Sequence, residues 1–401
     1  MATDGFHLRN IKKKRYGVAV ILLSAAVGLL ALTRILAGPP PPPPRRSPGS
    51  VKGRIRARWL APYVFAVSGT VGKTPITTVR WFNEKGEVVK ELSGPGVSTG
   101  AGFVREYKQE KSTIHAINGS WSFALQKKGK RSGYIHATPD SRTFVHQFHP
   151  DKGQIAVDIY VQGKLAGTVG PFEQYRGESV ELGDDGSTVL VTWKKESDKK
   201  VPQIVVAGPD GKVTFKAQCL FEPCDAIPAP GGAGAIVRPQ PVGPDRGLRV
   251  FFDKSGKSTT LNNLGNQPDF FGWAPETCNA LIRIGNSYNL IDCSNGKYLW
   301  TSKDPARGKR RTACHVLTKD YVLISGYEYM KWGEREDPVN TIYALDIKNG
   351  NLVASWLPND TCFFRLPGEI TKLAGKVYFI GQEEFSEINL SEIADKKNGW
   401  R

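Results

Sequence analysis

The sequence predicts an all-β domain that follows a single transmembrane helix. Three observations predict it. After Pro62, short β-branched and aromatic runs alternate with Gly, Asn and Asp about every ten residues, as strands and turns do. One unit, a strand ending in Leu-Asp or Ile-Asp followed by Asn-Gly and Trp, recurs after about 54 residues. One long apolar run stands near the N-terminus.

The net charge of +17 is unevenly distributed along the 401 residues. Residues 1–60 hold 12 Lys and Arg against one acidic residue, Asp4, whereas the remaining 341 residues hold 43 basic and 37 acidic residues. The basic excess therefore flanks the apolar run, where it would meet anionic lipid head groups. Because the charge is explained in this way, we expect no nucleic-acid partner.

The apolar run extends from Gly17 to Gly38 and carries no charge before Arg34. As a helix it spans about 33 Å, close to the thickness of the hydrocarbon layer. Arg34 lies one turn from the end, so its guanidinium can reach the interface. We expect residues 17–38 to form a single-pass signal anchor in a lipid bilayer. A cleaved signal peptide is the alternative.

The segments on either side of this helix predict its orientation. Lys12, Lys13, Lys14 and Arg15 favour a cytoplasmic tail at residues 1–16 and an extracytoplasmic C-terminal domain, periplasmic or extracellular or luminal. Residues 39–60 form a proline-rich basic linker. Its hexaproline, Pro39 to Pro44, is typical of a polyproline II rod of about 20 Å.

The clearest repeat pairs residues 290–300 (LIDCSNGKYLW) with residues 345–356 (LDIKNGNLVASW). Each copy predicts a hairpin, in which Asn-Gly would supply the two positive-φ positions of a type I′ turn. The residues predicted to shape these hairpins are Asp292, Asn295, Gly296 and Trp300 in one copy and Asp346, Asn349, Gly350 and Trp356 in the other. Weaker copies upstream place a turn glycine at Gly86, Gly211 and Gly256.

This repeat resembles the blade signature of the PQQ-like, or quinoprotein alcohol dehydrogenase-like, β-propellers. The resemblance is good over residues 280–390 and thin before residue 250. It implies four-stranded blades around a channel, and a partial ring would leave exposed strand edges, so residues 61–395 are expected to form the whole propeller. At about 45 residues a blade, this length holds about seven blades, with a range of six to eight.

The alternative architecture places one or two β-sandwich domains in residues 60–220 beside a smaller β domain. The Pro- and Gly-rich residues 227–247 would then be an interdomain boundary.

All six cysteines follow the apolar segment, on the side expected to be oxidising. Cys219 and Cys224 are close enough in sequence to close a short loop, and we predict a disulfide between them. Cys278, Cys293, Cys314 and Cys362 could pair in three ways or remain buried thiols.

Three kinds of functional site were considered from sequence motifs, for a nucleotide, a metal and a quinone cofactor, and each lacks a required residue. Residues 255–262 (SGKSTTLN) copy the end of a P-loop, but Phe251 stands where its first glycine belongs, so no nucleotide is expected. His146, His149 and Asp151 lack a fourth metal ligand. No adjacent cysteines suit a quinone cofactor, so we expect neither metal nor cofactor.

The leading hypothesis is therefore a membrane-anchored binding or scaffold module for a protein or for a cell-envelope or extracellular polymer. An enzyme acting at the central channel, as a hydrolase, a lyase or a quinoprotein-type oxidoreductase, is the alternative.

Overall fold

A computed structural model describes the β domain. The described residues are 56–71, 73–109, 111–126, 131–175, 180–197, 199–239, 249–261, 269–305, 312–332, 335–356, 369–373, 375–380, 385–391 and 393. The predicted anchor at 17–38, the basic residues Lys12 to Arg15 and Cys362 lie outside them. Within the described ranges, no helix is long and apolar enough to cross a bilayer.

The chain begins with two four-stranded antiparallel sheets. Sheet A contains β1 (Arg56–Ala61), β2 (Val64–Val71), β3 (Thr74–Phe82) and β4 (Val88–Gly94). Sheet B contains β5 (Val97–Gly100), β6 (Phe103–Lys108), β7 (Lys111–Ala116) and β8 (Ser122–Leu125). In both, each strand pairs with the next along the chain.

Sheet C has eight strands and consists of two such up-and-down runs. The first, C1, contains β9 (Arg131–Ala137), β10 (Thr143–His149), β11 (Gln154–Val161) and β12 (Lys164–Gln174). The second, C2, contains β13 (Val180–Leu182), β14 (Thr188–Glu196), β15 (Lys199–Ala207) and β16 (Val213–Gln218). Two residue pairs between β12 and β14, Glu173 with Trp193 and Gln174 with Thr192, join the runs.

Four further sheets follow. Sheet D contains β17 (Cys224–Pro228), β18 (Gly234–Pro239), β19 (Arg249–Asp253) and β20 (Ser258–Leu261), with a short 3-10 turn at Pro230–Gly232. Sheet E contains β21 (Asp269–Trp273), β22 (Asn279–Ile284), β23 (Ser287–Asp292) and β24 (Lys297–Lys303). Sheet F contains β25 (Thr312–Leu317), β26 (Tyr321–Trp332), β27 (Arg335–Asp346) and β28 (Leu352–Trp356). Sheet G contains three described strands, β29 (Glu369–Leu373), β30 (Lys376–Ile380) and β31 (Phe385–Ile388).

The central strands are buried on both faces, and alternate side chains reach different neighbouring sheets. In β14, Val189 and Val191 contact the cluster shared with sheet D, whereas Leu190 contacts the cluster between C1 and C2. In β23, Leu290 faces sheet F and Ile291 faces sheet D. This arrangement explains why the strands appear in the sequence as continuous apolar runs.

A separate hydrophobic cluster fills each contact between successive sheets. These clusters lie between A and B, B and C1, C1 and C2, C2 and D, D and E, E and F, and F and G. An eighth cluster joins the two ends of the chain, because Trp59 and Phe65 of sheet A pack with Ile380 and Phe385 of sheet G. The sheets therefore close into a ring, which is a β-propeller.

The sheets stand radially, with their first strands at the hub. The first strands β9, β13 and β17 contact in succession, as do β21, β25 and β29. The turns between first and second strands and between third and fourth strands lie on one side, here called the turn face. The connections on the other side form the loop face.

The β-sandwich alternative does not describe these strands, because residues 56–218 form successive sheets that pack side by side. Residues 227–239, the first part of the expected boundary, form the β17–β18 hairpin of sheet D. Residues 240–247 lie outside the described residues.

Candidate binding surfaces

The five turn glycines named from the sequence occupy the same place in their sheets. Each lies between a third and a fourth strand, and φ is +83° at Gly86, +77° at Gly211, +80° at Gly256, +72° at Gly296 and +72° at Gly350. Only glycine adopts this left-handed region without strain. The sequence repeat therefore marks the turn between the third and fourth strands of five sheets in the ring.

An aspartate before the glycine organises two of these turns. Asp292 Oδ1 accepts the amide of Ser294 at 2.9 Å, and Asp346 Oδ1 accepts the amide of Lys348 at 2.8 Å. Asn295 and Asn349 do not have positive φ, so the predicted type I′ turns are wrong. Four residues separate β23 from β24. The carboxylate accepts the amide of the second of them, Ser294, and Gly296 at the fourth supplies the positive φ that reverses the chain.

An aspartate organises the turn in the P-loop-like segment, residues 255–262, in the same way. Asp253 Oδ1 accepts the backbone amides of Ser255 at 2.8 Å and Lys257 at 3.1 Å. These amides are the groups that a P-loop would direct at phosphate. Gly256 thus belongs to the β19–β20 turn.

Three tryptophans each connect one sheet to a turn of the next sheet, from A to B, from B to C1 and from E to F. The indole N–H groups donate to backbone carbonyls, from Trp81 to Ile117 at 2.9 Å, from Trp121 to Ser141 at 3.0 Å and from Trp300 to Ile347 at 2.7 Å. A Cβ on Gly350 would lie 2.5 Å from the Trp300 ring. Trp300 of β24 therefore joins sheet E to sheet F. The side chain of Trp356 lies outside the described set.

An acidic cluster lies at the hub on the turn face. Burial raises the pKa of Asp184, the charges of Asp185 and Asp140 raise it further, and Lys372 opposes them. Lys372 belongs to β29 in sheet G, whereas Asp184 follows β13, so their interaction crosses the hub. No group of three or more His, Cys, Asp or Glu is placed to hold a metal ion in the part of the chain that the structure describes.

A second group of titratable side chains bridges sheets A and B. Lys90 Nζ donates to His115 Nδ1 at 2.9 Å and lies 4.9 Å from the centre of the Trp81 ring. An ammonium can only donate, so His115 is neutral with its proton on Nε2. That atom lies 3.6 Å from Glu106 Oε2. Burial lowers the pKa of Lys90, and Glu106 opposes this effect.

The state of His115 predicts a pH-dependent stability. Burial lowers its pKa first, the charge of Lys90 lowers it further, and Glu106 opposes both. The unfolded chain, with a pKa of 6.5, therefore binds a proton first as the pH falls. Above about pH 6.5 the neutral His115 therefore stabilises the folded protein. As the pH falls below that value, the free energy of unfolding decreases by at most about 1.4 kcal/mol per pH unit from this site. Urea unfolding at a series of pH values from about pH 7 to about pH 5 measures this decrease in the free energy of unfolding.

The control for this prediction is His115→Asn, whose side-chain oxygen still accepts from Lys90 but does not titrate. We expect a flatter pH profile for this variant than for the natural protein. Equal slopes in the two proteins would show that His115 does not contribute.

The predicted disulfide is present between Cys219 and Cys224 and shapes the loop between β16 and β17 on the loop face. Both cysteines are buried in the cluster between C2 and sheet D, and Phe221 packs against it. The amide of Cys224 donates to the Tyr175 hydroxyl at 3.3 Å. Leu220 is left 59% exposed at the tip. The loop therefore presents an apolar side chain on a fixed support.

Other residues considered from the sequence have structural surroundings. His146 is buried in β10, and His149 Nδ1 lies 2.9 Å from the Gln154 carbonyl oxygen. Cys278 and Cys293 are free thiols, and the Cys293 amide donates to the Cys278 carbonyl. The Cys314 side chain lies outside the described set.

Sequence reasoning missed Leu220, Lys90 and Glu106. Leu220 carries a local signal, since it is an apolar residue inside a short loop closed by two cysteines. Lys90 meets His115 only because sheets A and B pack together, so the sequence contains no local signal for that contact. Glu106 and His115 lie on the paired strands β6 and β7 of sheet B.

The similarity to known proteins is weak. No protein-family model matches the sequence. One of the subunits of eukaryotic translation initiation factor 3, from Xenopus laevis, is 26% identical over 121 residues, which cover 29% of this chain and 15% of that protein. The chain thus matches a small part of this relative.

Solved structures with a similar course of the chain include two propeller-sized matches. A crystal structure of the eukaryotic initiation factor has a TM-score of 0.43 at 10% identity and covers 85% of this chain and 90% of its own. The β-propeller domain of the Trilobed protease from Pyrococcus furiosus has a TM-score of 0.41 at 12% identity. The match covers 75% of this chain and 99% of the protease domain. Because these TM-scores and identities are low, the assignment of a β-propeller depends on the arrangement of the sheets in this chain and not on the similarity.

Proposed function

We propose that the protein is a membrane-tethered, eight-bladed propeller of the PQQ-like type that binds a protein partner on its loop face without acting as an enzyme. The count of eight is supported by the sheets and their contacts. Sheet C contributes two blades, C1 and C2, and eight hydrophobic clusters separate eight blades. The eighth blade, sheet G, has three described strands.

The tether is supported by the sequence of residues 1–60. The apolar segment at 17–38 has the length of a membrane span, and the basic residues Lys12 to Arg15 favour a cytoplasmic N-terminus. The hexaproline would hold the propeller away from the head groups, so that its faces stay accessible to partners outside the cytoplasm.

Leu220 is the observation that carries the binding proposal. Exposing a leucine to water is unfavourable, and this one projects from a loop fixed by a disulfide and by packing of Phe221. Side chains that are already fixed lose little conformational entropy when a partner binds. An exposed apolar residue on a rigid support is therefore suited to be a binding anchor.

The partner class is supported by two further points. The loop face also carries exposed basic side chains at the β14–β15 hairpin, Lys195 and Lys199, beside Lys194, which pairs with Glu196 at 2.8 Å. The curated relative is, by its name, a subunit of a larger factor. Together with Leu220, these features favour a protein with an acidic and apolar surface.

Site-specific crosslinking in the source cells tests the proposal. A photoreactive amino acid at position 220 of the full-length protein should give a discrete crosslinked protein in membranes that have been washed with high salt. The matched control places the same group at Val213, which is 43% exposed beside a turn on the opposite face. Crosslinks from position 213 with none from position 220, or recovery of the intact protein in the soluble fraction, would overturn it.

A further inference from the structure

A pair of free cysteines lies at the turn-face end of sheet E. Cys278 precedes β22, and Cys293 follows β23. Asn279 pairs with Asp292 in the register of these strands, and the amide of Cys293 donates to the Cys278 carbonyl oxygen at 3.1 Å. The two cysteines are therefore directly opposite each other, one position beyond the last strand pair at this end.

Both cysteine side chains lie on the same face of the sheet. Alternate residues of a strand share a face. In agreement, Cys278 and Cys293 contact the cluster between sheets D and E, together with Ala280 and Ile291. Directly opposite, hydrogen-bonded residues of an antiparallel pair have Cα atoms about 5.5 Å apart. A disulfide requires a Cα separation of about 4.4–6.8 Å, so the strand register supplies the separation that a disulfide needs.

The two thiols differ in exposure. Cys293 is fully buried, whereas Cys278 is partly exposed, so a dissolved oxidant reaches Cys278 first. Burial raises the pKa of Cys293 to about 12, the amide of Ala280 opposes this effect, and the Cys278 thiol adds to it. Burial also raises the pKa of Cys278. Because both thiolates are disfavoured here, the uncharged disulfide resists reduction once it has formed.

We propose that Cys278 and Cys293 form a disulfide across sheet E when the protein meets a small disulfide oxidant such as oxidised glutathione. The Cys278 thiolate attacks one sulfur of the oxidant and releases the first glutathione thiolate, which leaves a mixed disulfide on Cys278. The Cys293 thiolate then attacks the Cys278 sulfur and releases the second glutathione thiolate. The two cysteine thiols give up two electrons and two protons, which convert one oxidised glutathione into two reduced molecules.

The bond fixes the turn face at sheet E, because it joins the turn that precedes β22 to the turn that follows β23. The β23–β24 turn also contacts sheet D, since Thr259 Oγ1 donates to the Ser294 carbonyl oxygen at 3.1 Å. For the presence of the oxidant in cells, the inference rests on the proposed function, which places the propeller outside the cytoplasm.

Peptide mapping of the full-length protein in detergent tests the bond. The protein is equilibrated with oxidised glutathione at about pH 8.5, near the ordinary pKa of a thiol. Free thiols are then alkylated in denaturant, and trypsin cuts after Arg283, between the two cysteines. We expect the peptides that hold Cys278 and Cys293 to be linked in most molecules and to separate after reduction. The bond between Cys219 and Cys224 is the internal control in the same digest.

Two variants separate the roles of the thiols. In Cys293→Ala, the partly exposed Cys278 should accumulate a glutathione adduct, because the second thiol that would displace the glutathione is gone. In Cys278→Ala, the buried Cys293 should stay free of glutathione and become alkylated only after unfolding. The linked peptides are measured in the natural protein, so the test does not depend on the folding of either variant.

Free thiols at both positions in the equilibrated natural protein would overturn the inference, and so would links from Cys278 or Cys293 to Cys314 or Cys362. Acid quenching and alkylation of the source cells before lysis separates the inference from the proposed function. A bond that forms in the purified protein while both thiols are free in cells would count against the location outside the cytoplasm and not against the cysteine pair.

Discussion

Replacement of Trp59 by alanine is expected to lower the free energy of unfolding by about 3–5 kcal/mol, the range for a large buried aromatic side chain. Trp59 is 7% exposed and has ring contacts to Phe65 at 5.0 Å and to Phe385 at 5.1 Å. Phe65 belongs to the first sheet and Phe385 to the last. The substitution therefore removes a contact that closes the ring as well as a core side chain.

Trp59→Phe is the control, because a smaller aromatic ring keeps part of the contact with Phe385. We expect it to lower the free energy of unfolding by clearly less than alanine does, in urea titrations followed by tryptophan fluorescence and circular dichroism. A loss below about 1 kcal/mol in Trp59→Ala would show that the closing contact does not stabilise the protein.

Replacement of Gly350 by alanine is expected to lower the free energy of unfolding by about 3 kcal/mol. Its φ of +72° disfavours any L side chain by about 1–2 kcal/mol. In addition, the new Cβ would lie 2.5 Å from the Trp300 ring, so the indole must move away from its hydrogen bond to Ile347. Such overpacking adds about 1–3 kcal/mol.

Gly256 provides a matched control for Gly350. It occupies the equivalent turn of sheet D with φ +80°, but a Cβ there meets nothing within 4 Å. Gly256→Ala should therefore show only the backbone effect, about 1–2 kcal/mol. Equal losses in the two variants would mean that the indole of Trp300 adjusts freely and does not fix sheet F to sheet E.

The part of the fold that follows local chemistry could be predicted from the sequence. Turn glycines such as Gly296 and Gly350 have a backbone requirement that other residues do not meet, so they mark hairpins by themselves. Cys219 and Cys224 are close enough in sequence to predict their bond. The type I′ assignment failed because the Asn-Gly rule ignores the carboxylate of Asp292, which captures an amide of the turn.

The part that depends on contacts between sheets could not be predicted. Lys90 and His115 are 25 positions apart and meet across two sheets, and Asp184 and Lys372 meet across the hub. Before residue 250, Asn-Gly and Trp occur together at Asn118, Gly119 and Trp121 of sheet B, and the other blades there are recognised only from their sheets.

Hydrogen exchange of the full-length protein, with and without Trp59→Ala, tests the closed ring most directly. The ring predicts faster amide exchange in β30 and β31 of the last sheet as well as in β1 and β2, while sheet D, on the opposite side, stays protected. Faster exchange confined to β1 and β2, with β30 and β31 unchanged, would contradict a ring closed by the first and last sheets.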